Sequence, residues 1–128
     1  MYSIISHKDG YLLVEFVEDL DFSMIQTAIY QETMLREYAG TNDIWLIGNH
    51  RITIRLDDLD MLATEFQCRC PHDASRTKTA IVVNEGLTGA IIELWVKGVE
   101  KKLPFEIEIF RTLNDAKSWL GIKDVNAA

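Results

Sequence analysis

"TAIVVNEGLTGAIIELW", Thr79 to Trp95, opens on a strand signal and closes on a helix signal. Thr79 to Val83 contains no charge, and its residues are apolar or β-branched. Such a run shows no alternation, so both faces are covered, as in the middle of a parallel sheet. Asn84–Glu85–Gly86 breaks it. From Leu87 the period changes: Leu87, Ala90, Ile91, Leu94 and Trp95 recur at helical spacing, which predicts a helix over Leu87 to Val99. Leu87, Ala90, Ile91 and Leu94 are the expected inner stripe, with Gly86 serving the turn and Gly89 a close helix contact.

The same unit recurs on either side. Upstream, Asp43 to Gly48 is nearly all apolar, and Leu59, Leu62, Ala63 and Phe66 follow as a helical stripe with Asp57 or Asp58 as its cap. Before it, Ile25, Ala28, Ile29 and Leu35 keep helical spacing between an Asp21 or Ser23 cap and a stop at Gly40. "HKDG" separates Ile4–Ile5 from "YLLVEFV", and Asp9–Gly10 is a hairpin signal. Downstream, Phe105 to Arg111 alternates strictly. Thr112, Asp115 and Gly121 then start, support and end a short helix that docks through Trp119. The order is β-β-α-β-α-β-α-β-α across residues 1–128, a single α/β domain. It predicts a mostly parallel sheet of about five strands, one antiparallel edge strand, and helices mainly on one face.

Composition narrows the function. A chain of 128 residues with 48% hydrophobic content can build its own core. A net charge of −7 argues against nucleic acid and against anionic membrane surfaces as general partners. No apolar run reaches the roughly 18 residues of a membrane span, and the N-terminus lacks the pattern of a signal peptide. Cys68 and Cys70 are too close in sequence for an unstrained bridge, so both are expected as reduced thiols in a cytoplasmic protein. With His72 and Asp73 they resemble metal ligands. The cluster has no second ligand pair, however, and the expectation is no metal and no cofactor. Cys68 is expected to pack toward the core.

Consecutive parallel strands end on one side of a sheet, so Asn49, His50, Arg51 and Thr53 should converge with Asn84 and Glu85. These six are the candidate binding residues. No serine or cysteine stands beside His50 in an activating motif, and no catalytic residue is assigned. Val83 to Gly89 lacks the spacing of a phosphate loop. The apolar arc of the Leu87–Val99 helix is wide. Ile92, Trp95 and Val96 at its margin are the candidate contact with another helix, a second copy of the chain, or a ligand that the helix covers.

The element order, "TAIVVNEGLTGAIIELW", "IWLIGNHRITIRLDDL" and "FEIEIFRTLNDAKSWLGI" resemble the SpoIIAA-like or STAS domains, the anti-sigma-factor-antagonist fold. Phe110, Arg111, Ala116, Trp119 and Leu120 stand where that family closes its last strand and helix. The resemblance implies a non-enzymatic regulatory or protein-binding module. The family's phosphorylatable serine should fall in the loop after the central strand, where this chain has Asn49 to Arg55 and no serine. Thr53 is the nearest hydroxyl, and Asp57 and Asp58 would repel a phosphate, so the switch is not expected. A related branch implies the alternative: a carrier of a lipid or small apolar ligand, able to touch a membrane surface, with the Leu87–Val99 helix as cover.

Overall fold

The computed structural model describes residues 3–38, 40–69, 77–101, 103 and 105–122. Cys70, His72 and Asp73 lie outside them. The elements in chain order are β1 (Ser3–Lys8), β2 (Tyr11–Phe16), β3 (Leu20–Asp21), α1 (Phe22–Thr33), β4 (Asn42–Gly48), β5 (Ile52–Thr53), α2 (Leu56–Arg69), β6 (Lys78–Val83), α3 (Leu87–Val99), β7 (Glu106–Phe110) and α4 (Leu113–Leu120). The main sheet is ordered β1-β2-β4-β6-β7. The hairpin pair β1–β2 is antiparallel, with Lys8 opposite Tyr11, and every other pair in this sheet is parallel.

The apolar strands are continuous because both faces are covered. Val14, Trp45, Ile81 and Ile107 point to the side of α1, α2 and α3, among Ile29, Leu62 and Val96. Leu13, Ile44, Ala80 and Val82 point to the other side, where α4 docks through the fully buried Ala116. Trp119 is only half-buried there, against the Phe110 ring at 5.5 Å, with Lys78 Nζ 5.0 Å from its ring centre. It flanks the contact and does not fill it.

Local chemistry sets the ends. Asp21 caps α1, its side chain accepting from Met24 N at 2.9 Å, and Thr112 caps α4 by accepting from Asp115 N at 3.1 Å. Asp57 and Asp58 lie inside the first turn of α2, not at its cap. Asp58 reaches back to accept from Arg55 N at 3.0 Å, satisfying a donor that the helix leaves open. α1 ends at Thr33, ahead of Gly40.

Two features of the secondary structure also depart from the sequence expectation. Short strands β3 and β5 pair with each other in parallel, Leu20 with Ile52 and Asp21 with Thr53. Two-residue strands carry too little periodicity to be seen in sequence. The second departure is the phase of α3. Its buried side is Gly89, Ile92, Trp95, Val96 and Val99, whereas Leu87 is 78% and Leu94 62% exposed, and Ala90 is exposed too. The expected inner stripe is thus largely the outer one. Cys68 is likewise exposed rather than turned to the core.

Candidate functional site

The site begins with an irregularity in β4. Pairing with β6 slips between Leu46 and Gly48, and Gly48 has φ 63°, a left-handed conformation that costs a glycine little. A bulge at a strand end bends the chain and re-aims the residues after it. Here it sends Asn49, His50 and Arg51 across the carboxyl end of the sheet. The segment is then tied down from an unexpected direction. Asp19, just before β3, accepts from Arg51 N at 2.9 Å and lies 3.6 Å from His50 Nδ1, and Leu20 N donates to Arg51 O at 2.8 Å. The pairing of β3 with β5 holds Thr53 extended and exposed.

The second wall is the turn from β6 into α3. Asn84 N donates to Gly48 O at 3.0 Å, and the Asn84 side-chain amide donates to Asn49 Oδ1. That bridge joins the loop after β4 to the turn after β6. Arg111, at the end of β7, braces the turn from behind. Its guanidinium donates to Val83 O at 3.2 Å and Asn84 O at 3.4 Å and pairs with Glu93 on α3. Gly89 makes room for it. A Cβ at Gly89 would sit 2.7 Å from Arg111 Nη1 and 2.7 Å from Asn84 O.

Between the walls lies a cleft of about 490 Å³. All six sequence-chosen binding residues line it: Asn49, His50, Arg51 and Thr53 on one side, Asn84 and Glu85 on the other. Leu87 and Thr88 complete the lip. Gly86, with φ 127°, begins α3 at this rim and supplies no side-chain cap to the first amides of the helix. The cleft is therefore rich in hydrogen-bond donors and acceptors, with one exposed apolar side chain at its edge. Neither serine nor cysteine is among its lining residues. Among the described residues no three His, Cys, Asp or Glu side chains come together as a metal site.

Asp19 and Arg111 are the members that sequence reasoning missed as parts of a site. Asp19 sits in an undistinguished acidic stretch, and only the β3–β5 pairing brings it to His50. Arg111 follows an alternating strand, and that position could have indicated the same sheet end.

Ile92, Trp95 and Val96, expected at a contact surface or ligand cover, lie in the chain's own core at 5%, 7% and 6% exposure. The sheet covers that side of α3, which leaves them no surface for a second subunit. Ile92 and Trp95 also line an apolar void with Trp45, Ile81, Leu62 and Ile107. It holds about 40 Å³. That is room for about one or two water molecules, whereas ligand pockets typically run to about 300–1,000 Å³.

Gly89→Ala is expected to cost about 1–3 kcal/mol, because the new methyl meets a backbone carbonyl that cannot swing away. The urea midpoint checks this. An unchanged midpoint would mean that α3 does not seat closely on Arg111 and Asn84.

These features define the class: a small α/β module of SpoIIAA-like fold, with a polar cleft at the carboxyl end of its parallel strands. A solved structure shares the fold. The crystal structure of an uncharacterized protein of the DUF3478 family with a SpoIIAA-like fold, from Shewanella loihica PV-4, matches with a TM-score of 0.58 at 14% identity, over 92% of this chain and 91% of that one. At that identity the likeness is one of fold alone. No family model matches the chain, and no curated protein matches it. Among the described residues no helix is long and apolar enough to cross a membrane.

Proposed function

We propose that the protein is a small, non-enzymatic, bacterial-type cytoplasmic regulatory module that binds another protein through the cleft between β4 and β6. The observation that supports this most is the gathering of Asn49, His50, Arg51, Thr53, Asn84 and Glu85 around one cleft open to solvent. Amides, an imidazole, a guanidinium and a carboxylate offer directional hydrogen bonds, and Leu87 at the lip offers apolar contact. Such a mixture suits recognition of a polar protein surface. The phospho-serine switch plays no part in this reading. Thr53 lies in a strand and not at a helix start, and α2 opens with Asp57 and Asp58.

A second reading, the carrier of a lipid or small apolar ligand, draws on the apolar void beneath α3. Its 40 Å³ is far below the volume of an acyl chain. A carrier would have to open α3 from the sheet, and the same helix contributes Ile92, Trp95, Val96 and Val99 to the core. The small void thus supports the binding module over the carrier.

A photoreactive amino acid in place of Thr53, activated in the native host, distinguishes the two. A discrete protein adduct that is lost in Arg51→Ala is the expected result. Absence of any protein adduct, together with a lipid mass retained in native mass spectrometry, would favour the carrier instead.

A further inference from the structure

Glu32 on α1 and Asp43 on β4 are the buried carboxyl side chains among the described residues, 0% and 3% exposed. They meet at the amino end of β4, away from the cleft. Trp45 Nε1 donates to both, at 3.2 Å to Glu32 Oε1 and 3.1 Å to Asp43 Oδ2. Thr79 Oγ1 donates to Asp43 Oδ1 at 2.5 Å. The two carboxyl groups thus converge on one indole N–H. Such a pair resists holding two negative charges, since like charges at contact in a buried site raise one another's proton affinity.

The groups facing Asp43 are few. β2 sets the apolar Leu12 beside it and β6 sets Thr79. Lys78, next along β6, turns to the opposite face, where its Nζ donates to Trp119 O. α1 supplies Glu32, and Tyr38, buried beyond the end of α1, is the other titratable side chain in this core cluster.

We propose that Glu32 and Asp43 share a single proton at neutral pH, and that this proton fastens α1 to the central strand as a pH-sensitive latch. The proton sits between the two carboxyl groups, one donating and the other accepting. Its loss leaves two carboxylates facing each other across one indole N–H.

Burial sets the direction of the pH effect. As the largest influence, it holds the Asp43 carboxyl above its usual 3.8, against the opposing hydrogen bonds from Glu32, Thr79 and Trp45. A folded-state carboxyl that keeps its proton longer than the unfolded one stabilises the fold fully below pH 3.8. That contribution is lost progressively as pH rises toward the folded pair's own titration. Asp43→Asn and Glu32→Gln remove the need for the proton, since an amide donates permanently to the remaining carboxylate.

Thermal unfolding of the wild type and both variants between about pH 5 and 8 tests this. The variant-minus-wild-type difference in Tm should grow in the variant's favour by roughly 3–6 °C for each pH unit. Parallel curves would overturn the proposal. If neither variant folds, carboxyl carbon-13 NMR of the wild type at neutral pH decides. One protonated and one ionised carboxyl, or an exchanging pair between those limits, supports the shared proton. Two fully ionised or two fully protonated groups would refute it.

Discussion

Ile92→Asp is expected to destabilise the protein by about 4–6 kcal/mol, as a lost aliphatic contact and a carboxyl placed among apolar groups act together. Ile92 is 5% exposed and packs in the core with Trp45, Ile81 and Leu62 lining the same void. A domain of this size holds about 5–15 kcal/mol in all, so the variant should be marginally folded or unfolded. Leu94→Asp, two residues along the same helix and 62% exposed, should stay within about 0.5 kcal/mol of the wild type. The pair measures the phase of α3 directly. A larger loss at Leu94 than at Ile92, by urea unfolding followed by circular dichroism, would mean that the helix is rotated about its axis, since positions two apart face opposite sides. A stable Ile92→Asp protein that no longer takes up a fluorescent fatty-acid probe would revive the carrier reading.

Trp45→Phe is expected to cost about 2–4 kcal/mol although the ring remains aromatic, because the indole N–H serves two buried carboxyl groups at once. The phenyl ring can keep part of the tilted contact with Phe16, whose centroid lies 5.5 Å from that of Trp45. It cannot replace the donor, and it leaves the smaller volume of a phenyl beside an existing void. Denaturant unfolding at pH 7 checks the magnitude. A loss below about 1 kcal/mol would show that the Glu32–Asp43 pair is satisfied without the indole.

The sheet was legible in the sequence because its strands advertise their environment. Asp43–Gly48 and Thr79–Val83 read as doubly covered, and they are β4 and β6 at the middle of the sheet. Asp9–Gly10 marked the antiparallel hairpin, and Thr112 and Gly121 marked the ends of α4 through local hydrogen bonds. The convergence of Asn49, His50, Arg51 and Thr53 with Asn84 and Glu85 was legible for the same reason. Parallel strands joined by helices must end together, whatever the side chains are.

Tertiary packing decided what local pattern leaves degenerate. α3 carries apolar residues over more than one face, so periodicity cannot say which face turns inward. Gly89 held the clue: it stands at i, i+3, i+7 and i+10 with Ile92, Val96 and Val99, and only a glycine fits against Arg111 and the Asn84 carbonyl. The bracing of the cleft by Asp19 and Arg111 joins residues far apart in the chain, and the meeting of Glu32 with Asp43 joins a helix to the strand that follows it. Sequence alone determined the order of the helices and of the main-sheet strands and the end of the sheet where polar loops gather, because both arise from short-range periodicity and chain connectivity. Tertiary structure decided the rotation of α3, the braces of the cleft and the buried acid pair, because each depends on which surfaces the sheet covers and which distant side chains it brings within hydrogen-bonding reach.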